Sequence, residues 1–246
     1  MAKSILITGA SSGIGKALAF ELAGKGYSLA LASREIDLLS QIRDDILEES
    51  GPPAVAIRQL DVTDYEDVYK AVNELADEVD GLDIVFANAG VGLGERVGRG
   101  DFEKARRTIE VNLLGAIATV DAAAAYFLKK GKGHIVGTSS VAAFRGMPKS
   151  SAYSASKAGF AIYLESVRAE LYKKNIDVTV LYPGYIDTPL NEMLKTRPFL
   201  ISVEKGAEII ARLIEKRVKS STVPVYPWNI VGRLMKILPT GVIAKM

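Results

Sequence analysis

Ser4-Ile5-Leu6-Ile7-Thr8-Gly9-Ala10-Ser11-Ser12-Gly13-Ile14-Gly15 opens with an apolar β-type run, passes through a glycine turn, and begins a pattern with Ile14, Leu18 and Leu22 on one helical face. Strand, glycine turn and helix in that order make the first unit of a parallel α/β sheet. Glycines at the turn let the backbone approach a pyrophosphate, and the helix N-terminus presents unpaired N–H groups and partial positive charge to it. The glycine spacing is GxxxGxG rather than GxGxxG. A triphosphate-binding Walker A loop is discarded, because it needs glycine at position 10 and Ser or Thr at 17, and both are alanine.

The rest of the chain repeats this alternation. Strand patterns fall at 4–8, 28–32, 54–58, 84–87, 134–138, 177–181 and 222–225, and helical patterns at 13–25, 36–50, 65–79, 102–129, 153–174 and 204–216. The strands are almost continuously apolar, which suits a parallel sheet covered on both faces. The expected fold is therefore α/β, a doubly wound, mainly parallel, Rossmann-like sheet of about seven strands. No fixed-period repeat or Pro/Ser-rich linker divides the chain, so 1–246 reads as one domain, with 184–203 as a substrate loop and 226–246 as an apolar tail. Loops at the C-terminal ends of parallel strands, here 90–100 and 182–203, are where such sheets bind ligands.

Composition removes many chemistries. The chain of 246 residues carries 31 Lys+Arg against 29 Asp+Glu, so it lacks the basic footprint of a nucleic-acid binder. It has no cysteine, which excludes disulfides, thiolate metal sites and cysteine nucleophiles. Its single histidine, His134, sits at the start of a strand, opposite the catalytic end, and reads as structural; sites needing two histidine ligands are excluded. The N-terminus lacks a signal-peptide core and Asp121 interrupts the most apolar stretch, so a cytoplasmic protein is expected.

Dinucleotide sites usually place an acidic residue at the end of the second strand to bind the ribose 2′-hydroxyl. Here that strand ends Ala32-Ser33-Arg34, a hydroxyl beside a guanidinium, which suits a 2′-phosphate and favours NADP(H) without excluding NAD(H). The alternative is a surface arginine paired to Glu35 or Asp37. After the third strand, Asp61 beside Val62 either accepts from an adenine amino group or caps the next helix.

Tyr153 and Lys157 are four apart and share a helix face. A phenol titrates near pKa ~10, and a neighbouring ammonium stabilises its phenolate, so the pair can exchange a proton. Tyr126 and Lys130 have the same spacing, in a stretch where Lys129, Lys130 and Lys132 read as solvated. The difference is context: Thr138-Ser139-Ser140 ends a strand thirteen residues before Tyr153, where Ser140 can hydrogen-bond the substrate oxygen that Tyr153 protonates. The alternative is a Ser-rich loop capping the Tyr153 helix.

Taken in order, Thr8–Gly15, Asn88-Ala89-Gly90, Asn112, Ser140, Tyr153, Lys157 and Pro183-Gly184 resemble the short-chain dehydrogenase/reductase family, in its compact NADP-type branch, over residues 1 to 217. The resemblance implies a catalytic set of Asn112, Ser140, Tyr153 and Lys157, with Asn112 holding a water that links Lys157 to solvent. It implies cofactor contacts from Gly9, Ser11, Ser12, Gly13, Ile14 and Gly15, from Ser33, Arg34, Asp61 and Val62, and from Asn88, Ala89 and Gly90. Tyr153, Lys157, Pro183, Gly184, Ile186 and Thr188 complete them, the last four as a nicotinamide clamp. The implied reaction is hydride transfer between nicotinamide and a carbonyl or secondary alcohol, in a homo-oligomer joined through the 102–129 and 153–174 helices.

The tail departs from the family pattern. Trp228, Ile230, Val231, Leu234, Met235, Ile237 and Leu238 surround Arg233 and Lys236, as in an amphipathic helix on a membrane surface or over the cleft; the alternative is packing on its own domain or a sister subunit. Leu93, Phe144, Met147, Tyr185, Leu190, Met193 and Leu194 are expected to line an apolar substrate site. A cofactor-sensing regulator is disfavoured by the complete catalytic set, and a nucleotide-sugar epimerase by length and glycine spacing.

Overall fold

Alternate residues of a strand leave the sheet on opposite faces, and here both faces are apolar. Ile5, Ile7, Leu29, Leu31, Ile84 and Phe86 enter one core, while Leu6, Ala30, Ala32, Val85 and Ala87 enter the other. The structure is a computed structural model that describes residues 2–194 and 196–244. Its strands are β1 (Ser4–Thr8), β2 (Ser28–Ser33), β3 (Val55–Gln59), β4 (Ile84–Ala87), β5 (Gly133–Thr138), β6 (Ile176–Pro183) and β7 (Ser220–Val223). They form a seven-stranded sheet in the order β3-β2-β1-β4-β5-β6-β7, and every neighbouring pair is parallel. This is the expected doubly wound, Rossmann-like sheet.

Helices α1 (Gly13–Ala23), α2 (Ile36–Glu49) and α7 (Val203–Glu215) cover the first face through residues such as Leu18, Leu22, Ile42 and Ile210. Helices α3 (Tyr65–Glu78), α5 (Ala116–Lys130) and α6 (Ser151–Glu170) cover the second through Val68, Leu75, Val120, Phe127, Phe160 and Leu164. Glycines in β5 set how close two of them come. A Cβ on Gly137 would lie 2.3 Å from Leu164 and 2.8 Å from Phe160, and one on Gly133 would meet the Phe127 ring at 2.1 Å. Burying each of these aromatic side chains contributes roughly 2–3 kcal/mol.

Two expectations need correction. The 102–129 pattern is not one α-helix: α4 (Phe102–Ile109) and α5 are joined by a π-turn, Glu110–Gly115, that contains Asn112. Strand β7 stops at Val223, because Pro224 has no N–H to continue the ladder. Lys130 is exposed as expected, but its ammonium is also engaged: it donates to the Leu82 carbonyl at 2.6 Å and pairs with Asp83 at 3.0 Å, while the Leu82 N–H donates to the Tyr126 hydroxyl at 3.1 Å. That pair therefore anchors the start of β4, on the edge away from the strand C-termini.

The tail forms α8 (Trp228–Ile237) and a short α9 (Thr240–Ile243); its last two residues lie outside those described. Trp228 and Met235 are buried against Val141, with Phe144, Met147, Tyr182 and Tyr185 packed around them. One face of the tail helix is thus applied to the protein's own surface.

Candidate active site

The order of the sheet reverses between β1 and β4, and the loops at the C-terminal ends of these strands diverge to leave a crevice. A cleft of about 830 Å³ opens there and runs from the glycine turn to the loop after β6. On its first wall are Gly9, Ser11, Ser12, Gly13 and Ile14. Gly9 and Gly13 have φ of +68° and +51°, values that favour glycine. A Cβ at Gly9 would also lie 2.8 Å from the Ala89 backbone. Ser12, the N-cap of α1, makes no side-chain cap bond, so the helix N-terminus keeps its donors for a ligand. Gly15 does not face the cleft; it lets α1 sit against the turn, where a Cβ would be 2.3 Å from the Gly9 carbonyl.

Asn88, Ala89 and Gly90 follow β4 along the floor. The Thr8 hydroxyl accepts from the Asn88 and Ala89 N–H groups at 3.1 and 3.2 Å, and the Asn88 amide donates to the Thr8 carbonyl at 3.1 Å. These bonds fasten β4 to β1 beneath the glycine turn.

At the end of the cleft beside β2 and β3 stand Ser33, Arg34, Asp61 and Val62. The Ser33 hydroxyl accepts from the Glu35 N–H at 3.2 Å. Arg34 is exposed and, among the described residues, makes no ion pair, so the expected alternative of pairing to Glu35 or Asp37 is not what the structure shows. Asp61 does not cap α3; Asp64 does, accepting from Asp67 N–H at 3.1 Å. One Asp61 oxygen accepts from the Thr63 N–H and hydroxyl at 2.9 and 2.7 Å, and the other pairs with Arg107 at 3.0 Å. Burial pushes the Asp61 carboxyl up, but these bonds outweigh it and hold the carboxyl below its ordinary range. Arg107 also lines the cleft, and no spacing in the sequence ties it to a residue 46 positions away.

Ser140, Tyr153 and Lys157 meet on the opposite wall. The Lys157 ammonium donates to the Thr138 carbonyl at 2.8 Å and lies 5.9 Å from the Tyr153 ring centroid. Burial lowers its pKa to about 8. The Tyr153 phenol is pushed up, first by burial; a hydrogen bond with Ser140 opposes this and Tyr185 adds to it. Ser139 and Ser140 separate cleanly. The Ser139 hydroxyl donates to the Lys157 carbonyl at 2.8 Å and is buried, whereas the Ser140 hydroxyl accepts from Ala142 N–H at 3.1 Å and lines the cleft beside Tyr153.

Asn112 is fully buried and does not line the cleft. Its amide oxygen accepts from the Val91 N–H at 2.7 Å and its amide nitrogen donates to the Val91 carbonyl at 2.8 Å. The π-turn aims this side chain at the loop after β4, consistent with the enrichment of such bulges at functional sites. A Cβ on Gly90 would sit 3.2 Å from the Asn112 oxygen and 3.5 Å from the Lys157 ammonium, so both groups flank one glycine.

Pro183, Gly184, Ile186 and Thr188 close the cleft, and the Thr188 methyl faces Gly13. Met147, Tyr185, Leu190, Met193 and Leu194 line the open end as expected. Leu93 and Phe144 do not: Leu93 is exposed, and Phe144 turns toward α8, its ring packed at a tilt on Tyr182 with centroids 4.8 Å apart.

A further residue escaped sequence reasoning. Glu95 is buried, and one of its oxygens accepts from the Ser151 hydroxyl at 2.7 Å and the Ala152 N–H at 2.5 Å. It caps α6 from another loop, where the N-cap Ser150 makes no side-chain bond. His134 is buried against Thr179 at 2.9 Å, at the start of β5 and away from the cleft.

The family model for short chain dehydrogenase matches residues 3–198. The chain belongs to the short-chain dehydrogenase/reductase family. An uncharacterised oxidoreductase of Mycobacterium tuberculosis is 39% identical over 238 residues, covering 96% of this chain and 94% of the relative. The alcohol dehydrogenase from the archaeon Thermococcus sibiricus, complexed with 5-hydroxy-NADP, superimposes with a TM-score of 0.82 at 30% identity, over 90% of this chain and 96% of that one. A short chain dehydrogenase/reductase from Burkholderia phymatum in complex with NAD shares the fold, with a TM-score of 0.84 at 22% identity over 95% and 92% of the two chains. This short-chain dehydrogenase/reductase is thus an oxidoreductase on a fold that binds a nicotinamide cofactor. The glycine cradle, the uncapped α1 and the exposed Arg34 fit such a group.

Proposed function

We propose that this enzyme is an NADP(H)-dependent reductase of apolar carbonyl compounds, working reversibly on the corresponding secondary alcohols, with Tyr153 as acid/base. The observation that carries the reading is one continuous cleft holding the glycine turn and Arg34 at one end and Ser140, Tyr153 and Lys157 at the other. Bound nicotinamide supplies or accepts the hydride. Ser140 donates a hydrogen bond to the substrate oxygen, and Tyr153 delivers a proton to the same oxygen. Lys157 keeps two ammonium protons beyond the one given to Thr138; its charge favours the phenolate, and it holds the nicotinamide ribose. Asn112 fixes the Val91 backbone beside this group, and its remaining hydrogen-bonding capacity serves the water that links Lys157 to solvent.

Ser11, Ser12, Gly13 and Ile14 take the pyrophosphate, Arg34 and Ser33 the 2′-phosphate, and Asp61 with Val62 the adenine edge. Asn88, Ala89 and Gly90 form the floor, and Pro183, Gly184, Ile186 and Thr188 clamp the nicotinamide. The intact Ser140–Tyr153–Lys157 arrangement speaks against a non-catalytic sensor. Exposed Phe102, Leu114, Leu128 and Ile162 on the α4–α5 and α6 helices support the family's homo-oligomeric assembly.

The test is parallel titration with NADPH and NADH. The parent protein should favour NADPH, and Arg34→Asp should weaken NADPH roughly 10–100-fold, the worth of a charge-assisted phosphate contact. A variant that keeps the full NADPH preference would overturn the cofactor assignment.

One observation favours a second reading, a membrane-surface reductase of lipid-like carbonyls. Ile230, Leu234 and Ile237 form an exposed stripe on α8 beside Arg233 and Lys236. Vesicles containing anionic lipid should then pellet the full-length protein but not one truncated after Pro227; equal, poor pelleting rejects it.

A further inference from the structure

The loop between β6 and α7 is pinned at its base. Asp187 N–H donates to the Ile201 carbonyl at 2.9 Å, Ile201 N–H donates to the Tyr185 carbonyl at 3.1 Å, and Ile186 bridges to Ile201 in parallel register. The first residue of α8 lies against both arms of this loop. The Trp228 indole is 5.8 Å from the Tyr185 ring on the outgoing arm and 5.7 Å, edge to face, from the Phe199 ring on the returning arm.

Two details show how tightly it is set. A Cβ on Gly184 would lie 2.0 Å from Trp228 Nε1, so only glycine lets the indole reach the backbone here. Phe199 has φ +57°, a left-handed conformation that a bulky residue holds only when packing compensates, and its contact with Trp228 is such packing. From behind, Val141, Phe144 and Met235 hold the indole, and Val141 directly follows Ser140.

Trp228 Nε1 is buried and has no hydrogen-bond partner among the described residues. A phenylalanine would leave no N–H unpaired, so the indole N–H is not what the site uses. What the indole adds is reach across the space between the two arms.

We propose that Trp228 is a positioning residue for the substrate: wedged between Tyr185 and Phe199, it fixes how far the 184–203 loop stands from the cleft, and so makes the C-terminal helix part of the substrate site. Tyr185 lines the cleft and Phe199 does not, so the wedge acts through the loop and not by touching the reacting atoms. The inference rests on the carbonyl-reductase reading for its kinetic consequence, but the mechanical claim stands independently of it.

Two variants of the full chain test it by hydrogen exchange. Phe199→Ala alters a half-exposed side chain, so folding is not at stake, and Trp228→Phe removes the reach of the indole while keeping an apolar ring. Exchange at the Asp187 and Ile201 amides should accelerate roughly tenfold or more in both, with the β4 and β5 amides unchanged. Exchange within about twofold of the parent at both amides, in either variant, overturns the proposal. With 4-nitrobenzaldehyde and NADPH, the variants should raise aldehyde KM about fivefold or more while kcat stays within about twofold, the pattern of lost uniform binding. A fall in kcat with KM unmoved also overturns it. Failure of the parent enzyme to reduce this aldehyde would count against the carbonyl reading, and the exchange result would then decide the role of Trp228 alone.

Discussion

The Lys157 ammonium is tied at 2.8 Å to the carbonyl of Thr138, the last residue of β5. One bond thus fixes α6 to the strand end that also delivers Ser139 and Ser140. It leaves a buried cation with a single charge-free partner, which explains the fall of its pKa to about 8.

That burial has a stability signature. Because the folded pKa lies below the unfolded one, the native state binds fewer protons than the unfolded state between about pH 8 and 10.5. The cost is full below pH 8 and is relieved as pH rises. Lys157→Met removes the titration, so in urea unfolding the parent should gain about 2–3 kcal/mol on the variant between roughly pH 7 and 10. Parallel pH dependence in the two proteins would show that Lys157 is not held as described.

His134 gives the corresponding signature on the acid side. Burial holds its pKa near 4, against 6.5 for the free residue. The unfolded state therefore takes up the proton first, so stability is complete above about pH 6.5 and is lost as pH falls toward 4. His134→Gln should lack this component, about 2–3 kcal/mol across the interval, when melting curves of the two proteins are compared. Activity near neutral pH should survive the change, because the residue lies at the other end of β5 from the site.

Glu95 joins the loop after β4 to the first turn of α6. Glu95→Ala removes the acceptor for the Ser151 hydroxyl and Ala152 N–H, and should destabilise the protein by roughly 1–2 kcal/mol in urea unfolding. Since Tyr153 is the next residue, turnover should fall as well. An unchanged midpoint would mean that water caps the helix equally well.

The strands were legible because burial on both faces imposes an unbroken apolar run, which nothing in a surface helix imitates. The glycine turn, Tyr153 and Lys157 were legible because they are local: a turn of a few residues and an i,i+4 pair. Features that depend on distant contacts were not. Asn112 could be named, but not the π-turn that carries it. Asp61 admitted two readings, and the structure gives its carboxylate to Thr63 and Arg107, the latter too remote to anticipate. The bonds of exposed Lys130 were not legible because its partners, Leu82 and Asp83, lie outside its own helix. The tail showed its apolar face but not what covers it, since Val141, Tyr182 and Tyr185 carry no mark of that contact.

The most direct measurement compares the parent enzyme with Tyr153→Phe, following NADPH oxidation by an apolar aldehyde or ketone alongside NADPH binding. Loss of the proton donor should lower kcat by about 10²–10⁴-fold and leave NADPH affinity within about threefold. A Tyr153→Phe enzyme that turns over near the parent rate would contradict proton transfer by Tyr153.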